Sequence, residues 1–393
     1  MSPRASNQSF FTGDFFLVTV IFFLVMTTMT IFLVLPILID ELGGGAMMIG
    51  LAMGAVPLGS VASRFFWGRA MDRGGRKKVL IFSTLLNTAA IFAFLTVRSA
   101  GPWLIFLRLL QGIALGGNIT AVWTITADIS PPERLAQSLG IFGTAGMIAL
   151  AVGPVAGEMI MKYFTPLRDG FQGVFFFAGL LSLLALVLAV RLRESRPSVE
   201  CPPVGASYRD LMRHGVAAVL LVTIIFAISR SAFASFFADY SRIRGIGSMG
   251  LFSAIYSATT IFFRFTVGHL PDRLGRVRVL GPALVVFGAG IALIAFSGTW
   301  PVFILAAFLC GLGHCFLYPV LNALVIERVH SCSRGTATGV FINSFDIGIG
   351  AGSLIWGAAA QFGSYRLIYL LAGATALLGL FFARPRRRSD GGD

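Results

Sequence analysis

Residues 68–80 read GRAMDRGGRKKVL, and residues 268–280 read GHLPDRLGRVRVL. Both segments fit the frame G-x-x-x-D-R-x-G-R-x-x-V-L, and both lie between long apolar stretches. Arg64 and Arg264 fall in the same register upstream of the two segments. A soluble core seldom contains such a cationic segment between long hydrophobic runs. The repeat predicts a duplicated membrane protein whose basic loops lie on one side of the bilayer.

The composition predicts an all-α membrane protein. Hydrophobic residues make up 56% of the 393 residues and charged residues 12%, which is roughly half the charged fraction of an ordinary globular domain. At about 20 residues per helical crossing, the chain has room for about a dozen spans and for no sizeable soluble domain. The first apolar run has no short h-region with a cleavage site, so we expect it to be an uncleaved span. The predicted spans 1 to 12 cover residues 15–39, 47–67, 79–97, 103–127, 138–161, 172–190, 214–238, 248–267, 279–297, 301–326, 337–361 and 367–383.

The distribution of charge predicts the orientation. With the N-terminus inside, 21 of the 31 Lys and Arg residues lie in cytoplasmic segments and six in outer segments. This asymmetry follows the positive-inside rule and places both termini in the cytoplasm. The net charge of +14 therefore reflects topology, and we expect no nucleic-acid partner. We expect an integral protein of a bacterial cytoplasmic (inner) membrane.

The halves of the chain repeat beyond the two quoted segments. With an offset of 199, Asp128 aligns with Glu327, and Gly153 aligns with Gly352. Parallel repeats of this kind place a binding site between the halves, near the middle of the bilayer. The predicted organisation is an N-terminal six-helix half (1–191), a proline-rich cytoplasmic linker (192–213), a C-terminal six-helix half (214–383) and a cytoplasmic tail (384–393).

These motifs resemble those of the major facilitator superfamily, specifically its drug-exporter-like, proton-coupled antiporter branch. The resemblance covers the whole chain and implies twelve helices in two pseudo-symmetric six-helix halves. The segment at 68–80 resembles the signature between spans 2 and 3 of that family, and the segment at 268–280 resembles its echo between spans 8 and 9.

The resemblance implies that the two segments form a gate. Asp72 would face the N-terminus of span 11, where a helix dipole favours a carboxylate, and Asp272 would face span 5. Gly68 would allow close packing, and Asp128 is expected to pair with Arg73. The alternative is that these charges only set topology, which does not account for the two aspartates. The predicted gating residues are Gly68, Asp72, Arg73, Arg76, Asp128, Gly268, Asp272, Arg273 and Arg276.

Four ionisable residues within the spans are candidates for proton coupling. Arg108, in the run RLLQGIALG, resembles a family motif that is associated with proton transfer; the alternative is a structural ion pair. Gly153-Pro154 resembles the antiporter motif, in which Glu158 here replaces the final glycine. Asp346 is the first candidate for the proton carrier, because an ionisable group within the membrane is a functional candidate. Glu158 and His314 follow. Asp346 could instead be a permanent partner of an arginine, and His314 could be a packing residue.

Polar and aromatic residues on spans 1, 4, 7 and 10 predict a small-molecule cavity. The arginines within the spans outnumber the acids, which favours an anionic or zwitterionic substrate; Arg64 and Arg264 could instead reach the membrane surface. The predicted cavity residues are Thr30, Asn118, Trp123, Phe226, Arg230, Phe233, Tyr318 and Asn322.

The function predicted from the sequence is secondary active transport by alternating access, as proton-coupled efflux of a drug-like compound or secreted metabolite, with anionic compounds among the candidates. The alternatives are a proton symporter that imports an anionic metabolite and a non-transporting sensor or scaffold. The expected partners are a small-molecule substrate, protons and the lipid bilayer, and the chain is expected to act as a monomer. The sequence contains no nucleotide loop, metal-ligand spacing or nucleophile motif, so we predict neither an enzyme nor a metal or cofactor site.

Overall fold

A computed structural model describes residues 12–131, 134–164, 167–195, 216–328 and 334–383, without the side chains of residues 136, 334 and 335. This part of the chain is almost entirely helical and contains no strand. It forms twelve helices that are long and apolar enough to cross a membrane. The helices carry the numbers of the predicted spans: α1 Gly13–Glu41, α2 Ala46–Gly74, α3 Arg76–Thr96, α4 Pro102–Ile129, α5 Gln137–Tyr163, α6 Leu167–Arg191, α7 Val216–Arg244, α8 Met249–Val267, α9 Arg276–Ile294, α10 Trp300–Ile326, α11 Thr336–Phe362 and α12 Tyr365–Phe382.

The outer surfaces of these helices are apolar. Large side chains such as Phe65, Phe262 and Phe381 are more than half exposed. In water, contiguous apolar surface of this kind would drive association. In a bilayer it faces lipid, while the backbone groups are satisfied within each helix. The prediction of an all-α membrane protein with twelve spans is confirmed.

The first helix is interrupted near its middle. Gly13–Thr30 and Leu35–Glu41 are α-helical, and the residues between them, Ile31–Val34, form a 3-10 turn. Pro36 lies in the first turn of the second piece and has no N–H to donate to the carbonyl of Phe32. The interruption therefore separates a short terminal piece of α1 from the rest of the helix.

The second glycine of the repeated frame sets the turn between helices. Gly75 has φ +98° and Gly275 has φ +93°, a backbone region that only glycine adopts without strain. Each of these glycines is the N-cap residue of the following helix, α3 or α9. In the first segment, α2 continues through Gly68, Asp72 and Arg73 beyond the end of the predicted span at residue 67, and it ends at Gly74, before the positive φ of Gly75.

The described residues divide into two compact units, and the first comprises those within Met1–Phe32, Gly59–Val97 and Phe106–Glu200. Its core includes Phe22, which stacks on Phe142 with ring centroids 4.4 Å apart. Helix α5 approaches α1 closely at Gly153, where a Cβ atom would collide with the side chain of Thr30. The Thr30 hydroxyl also donates a hydrogen bond to the Ala149 carbonyl at 2.8 Å. Glycine is therefore required at this crossing.

The second unit comprises the described residues within Leu33–Leu58, Arg98–Ile105 and Cys201–Asp393. It repeats the glycine crossing of the first unit, because a Cβ atom on Gly352 of α11 would collide with the side chain of Ser231 on α7. The aligned glycines of the two halves thus make equivalent helix contacts. Small residues permit such close crossings where hydrophobicity cannot drive helix association.

Some predictions concern residues outside the described ranges. The linker beyond residue 195 and the tail at 384–393 are among them. Cys310 and Cys315 are buried free thiols in α10, where cysteine packs as a small hydrophobic side chain.

Candidate functional site

The first repeated segment forms a charged contact at one end of unit 1. In each unit, we call the end at which its own repeated segment lies the motif end of that unit. Arg76 Nε donates to Asp128 Oδ2 at 3.2 Å, and Ser195 Oγ donates to the same oxygen at 2.8 Å. The sequence suggested Arg73 as a partner of Asp128, whereas the described ion pair is made by Arg76; a contact between Arg73 and Asp128 stays a prediction. The turn at Gly75 directs the following residue toward the end of α4, whereas Arg73 and Asp72 remain exposed on the last turn of α2.

A carboxylate that the sequence analysis did not identify lies in the same contact. Glu194 Oε1 accepts hydrogen bonds from the backbone N–H groups of Arg76 at 2.6 Å and Lys77 at 3.3 Å. It therefore satisfies unpaired donors of the first turn of α3 and places negative charge at the positive end of the helix dipole. An isolated Glu after span 6 gives no sequence signal for this role.

The second repeated segment makes a related contact in unit 2. Arg276 donates to Asp272 Oδ1 from Nε at 3.0 Å and from Nη2 at 2.8 Å. The same guanidinium group also pairs with Glu327, the residue that aligns with Asp128. In each unit, the arginine that follows the turn glycine thus pairs with the acid at the end of the fourth or tenth helix.

The structure does not place the gating glycine of unit 1 in a close helix contact. No atom lies within 4 Å of the position that a Cβ atom on Gly68 would occupy. Asp272 and Arg273 are exposed. The roles that the resemblance assigns to Asp72 and Asp272, opposite α11 and α5, stay predictions, as do those of Gly268 and Arg273.

Arg108 is buried in unit 1 with 4% of its surface exposed. Its Nη1 donates to Gln111 Oε1 at 2.9 Å, and its guanidinium carbon lies 5.4 Å from the ring centroid of Phe32. Arg108 and Gln111, which lie one turn apart on α4, are therefore hydrogen-bonded to each other. Among the other predicted coupling residues, Glu158 on α5 and Asp346 on α11 are half-buried.

Three predicted cavity residues make structural contacts in unit 1. The Asn118 carbonyl oxygen accepts hydrogen bonds from Ser83 and Thr84, each at 2.8 Å, and so joins α3 to α4. Trp123 packs edge-on against Phe142. Thr30 bonds to the backbone of α5, as described above. These contacts account for the three side chains without a substrate.

The remaining cavity candidates gather in unit 2 around a group that we call the basic–aromatic cluster. It consists of Arg230 on α7, Tyr256 and Arg264 on α8, His314 and Tyr318 on α10, and Phe345 on α11. Arg230 Nε lies 3.5 Å from the hydroxyl oxygen of Tyr256, and its guanidinium carbon lies 5.7 Å from the ring centroid of Phe345.

The cluster centres on His314, which is 5% exposed. Its ring stacks on Tyr318 with centroids 5.8 Å apart and lies 5.4 Å from the ring of Tyr256. Both Arg230 and Arg264 are close enough to act on its charge. Nδ1 of His314 and Nε of Arg264 are buried without a hydrogen-bond partner.

Other predicted cavity residues border this cluster. Phe226 lies between His314 and Phe345, at centroid distances of 5.7 Å and 5.9 Å. Phe233 packs against Tyr256 at 5.5 Å. Asn322 lies two turns from His314 on α10, with its carbonyl oxygen buried and unpartnered. Ion pairs between described residues do not include Arg230 or Arg264.

A buried acid near the end of α7 escaped the sequence analysis. Asp239 is 2% exposed, and its Oδ2 accepts a hydrogen bond from the Tyr365 hydroxyl at 2.5 Å. The predicted span ended at residue 238, because Asp239 opens the polar run DYSRIR. The observed helix continues to Arg244.

Comparison with known proteins agrees with this architecture. An uncharacterised MFS-type transporter of Salmonella typhimurium is 27% identical over 349 residues, which cover 85% of each chain. The multidrug resistance efflux pump PmrA of Streptococcus pneumoniae is 26% identical over 370 residues, covering 88% of this chain and 89% of that protein. The crystal structure of the human organic anion transporter MFSD10 matches 95% of this chain and all of that chain, with a TM-score of 0.72 and 18% identity.

The family model described as Major Facilitator Superfamily matches residues 15–247 and 219–392. Those two matches together cover nearly the whole chain, and they include both repeated segments and the basic–aromatic cluster. The family model, the relatives and the solved structure named here are those of transporters and not of enzymes. The chain is an integral membrane transporter that belongs to the major facilitator superfamily.

Proposed function

We propose that this protein exports a small organic molecule, with acidic compounds among its substrates, in exchange for protons. It works by alternating access as a monomer in a bacterial cytoplasmic membrane, with both termini in the cytoplasm. The family match supports transport, and the similarity to a protein named as a multidrug efflux pump supports the outward direction. Coupling to protons is a proposal that the sequence motifs of the antiporter branch support.

The observation that carries the proposal for substrate class is the basic–aromatic cluster. Two guanidinium groups and an imidazole lie close to one another and to the rings of Tyr256 and Phe345. Arg230 and Arg264 form no ion pair with any carboxylate in the described part of the chain. A buried cation without a counter-ion is unfavourable, and a substrate carboxylate or phosphate can supply the missing charge. The rings would contact an apolar or aromatic portion of the same substrate.

Proton coupling in this proposal uses ionisable groups within the helices. Asp346 stays the first candidate for the proton carrier, followed by Glu158 and His314, with Arg108 as a residue that assists transfer. All four lie on helices within the membrane, where ionisable side chains are costly unless they have a function. The contacts of Arg76 and Arg276 support a role for the two repeated segments in gating, because each arginine links two helices at the motif end.

Transport in oriented membrane vesicles tests the proposal. Inverted and right-side-out vesicles would receive an imposed pH gradient together with a panel of acidic, neutral and cationic compounds. An exporter of the proposed kind accumulates acidic compounds in inverted vesicles when the lumen is acidic. Accumulation in right-side-out vesicles under an inward proton gradient would identify the symporter instead. A sensor or scaffold would move no compound in either preparation.

A further inference from the structure

Unit 2 contains a second group of ionisable side chains at the end of α7 that is opposite the motif end. We call it the far cluster; it consists of Asp40 and Glu41 at the end of α1, Asp239 and Arg242 on α7, and Tyr365 at the start of α12. The terminal piece of α1, Leu35–Glu41, belongs to the same compact unit as α7 and α12. Arg242 Nη2 pairs with Glu41 Oε2 at 3.1 Å and so joins this piece to α7.

Asp239 lies one turn below that ion pair and is shielded from water. The residue is 2% exposed, whereas the side chains of Arg242 and Glu41 are 42% and 45% exposed. Oδ2 of Asp239 accepts the hydrogen bond from Tyr365, and Oδ1 is buried with no partner. An ionised carboxylate accepts on both oxygens, so the unpartnered Oδ1 is the atom that a proton would occupy.

The charged neighbours of Asp239 are of both signs, and Arg242 is close enough to act on its charge. Arg242, on the same helix, is engaged with Glu41, and Arg244 lies beside Gly298. Asp40, on α1, is close enough to act on Asp239 as a second negative charge. The phenol groups of Tyr240 on α7 and of Tyr365 and Tyr369 on α12 face the same region. Within the described residues, Asp239 has no ion pair.

We propose that Asp239 binds a proton and that this proton stabilises the contact between the terminal piece of α1 and α7. The proposal rests on the proposed function only in that a proton-coupled exporter supplies a pH difference for the site to sense. When Asp239 is neutral, it repels Asp40 on the terminal piece of α1 less, and its own burial costs less free energy. When Asp239 is ionised, separation of α1 from α7 admits water to Oδ1.

Proton binding and contact formation are therefore thermodynamically linked. Whatever favours the contact raises the affinity of Asp239 for a proton, and acid in turn favours the contact. Because one proton is involved, the ratio of closed to open contacts changes by at most about tenfold for each pH unit. The steepness of the pH dependence therefore has an upper limit, which an effect of acid on several groups of the protein would exceed.

The test measures the distance between α1–α2 and α7 in the full-length protein in lipid nanodiscs. Spin labels on cysteines that replace Met47 and Ile243 would report it by double electron–electron resonance, because both positions are at least a third exposed and lie in unit 2. Cys201 and Cys332 would be replaced by serine, whereas Cys310 and Cys315 are buried and can remain. The short-distance population should increase as the pH falls.

Two variants and a matched control identify the residue. D239N resembles the neutral acid and can still accept the Tyr365 hydrogen bond, so the short distance should predominate at every pH. Y365F removes a hydrogen bond that stabilises the carboxylate, so the transition should move to higher pH. D169N, an exposed acid in the first turn of α6, should titrate like the parent protein. A D239N protein that titrates like the parent protein, or a Y365F transition at unchanged pH, would overturn the proposal.

The outcomes separate this proposal from the proposed function. If transport responds to a pH gradient but D239N leaves the distance transition unchanged, the site is wrong and the coupling stands. If the distance titrates through Asp239 but transport ignores the pH gradient, the site stands and proton-coupled export is wrong. A short-distance population that follows sodium concentration at constant pH would identify a cation site and contradict the assignment of a proton.

Discussion

Arg230 is the residue whose chemistry bears most directly on substrate choice. It is half-buried on α7, and its described contacts are the Tyr256 hydroxyl and the ring of Phe345. Neither contact supplies a negative charge. A substrate anion beside it would form charge-assisted hydrogen bonds, which contribute more than neutral ones and depend on direction.

Replacing Arg230 with glutamine should therefore reduce transport of acidic substrates selectively. The loss of a hydrogen bond to a charged group is about 1.5–3 kcal/mol, so kcat/KM for an acidic compound should fall at least tenfold. Transport of a neutral compound should change less than threefold. The exposed loop residue Arg98 provides a matched control, R98Q, which should leave both rates unchanged. Equal losses for acidic and neutral compounds would exclude Arg230 as an anion-binding residue.

A substitution of Asp346 tests whether this residue carries the coupled proton. The variant D346N retains the size and polarity of the side chain and removes its ability to ionise. Under the proposal, pH-driven accumulation in vesicles should fall at least tenfold, while exchange of labelled for unlabelled substrate at equal pH should persist. Full pH-driven transport by D346N would remove Asp346 from the candidates and leave Glu158 and His314.

At the scale of helices, the turn between α2 and α3 fixes the charged contact of unit 1. Gly75 has positive φ and lies where a Cβ atom would meet the Glu194 carboxylate at 2.8 Å. Gly275 has nearly the same φ, but its Cβ position has open space apart from Arg278 Cδ at 3.9 Å. Replacing either glycine would therefore strain the backbone to a similar extent. The added Cβ atom would collide with a neighbouring side chain at residue 75, whereas it would have space at residue 275.

This difference predicts unequal costs for two matched substitutions. G275A should destabilise the protein by about 1 kcal/mol through the backbone alone, and G75A should cost more because it also displaces Glu194 from the start of α3. The apparent thermal midpoint in detergent would measure both changes. The destabilisation by G75A/E194A should be no more than the sum of those by G75A and E194A, because E194A removes the side chain with which the added Cβ atom collides. Equal midpoints for G75A and G275A would contradict the Glu194 contact.

The elements also show what sequence reasoning can and cannot predict. The twelve helices followed from apolar length and basic loops, because the bilayer leaves the backbone few alternatives. The partner of Asp128 did not follow, since spacing along α2 and α3 does not indicate which arginine the Gly75 turn directs toward α4. Asp239 was missed because DYSRIR resembles a loop in sequence; its burial comes from side chains such as Tyr365, far away along the chain.

At the scale of the whole molecule, each unit contains its own version of the same device. The Arg76–Asp128 and Arg276–Glu327 contacts correspond, as do the glycine crossings at Gly153 and Gly352. Duplication of both contacts supports the proposal that the two halves of the chain act as equivalent bodies in alternating access. The basic–aromatic cluster, by contrast, lies in unit 2, and the repeat predicts no counterpart of Arg230 in unit 1.

Removal of both motif-end contacts should change the balance between transport conformations more than removal of either one. R76Q and R276Q each break one link between helices, whereas the double variant breaks both. These pairs are partly exposed, so each should contribute at most about 1 kcal/mol to stability. In the double variant, the rate of transport should fall by a larger factor than the small loss of stability, measured as the apparent thermal midpoint, can explain. Unchanged transport in the double variant would show that the repeated arginines serve only topology.

The central claim is that movement of substrate is coupled to opposite movement of protons, and flux in proteoliposomes tests it most directly. Purified protein would be reconstituted with a pH-sensitive dye and an acidic substrate inside, with no ion gradient imposed. Dilution into substrate-free buffer at the same pH should drive protons into the lumen as substrate leaves, and the dye should report acidification that is at least tenfold slower for R230Q. Substrate efflux with no change in luminal pH, or with alkalinisation of the lumen, would contradict the account.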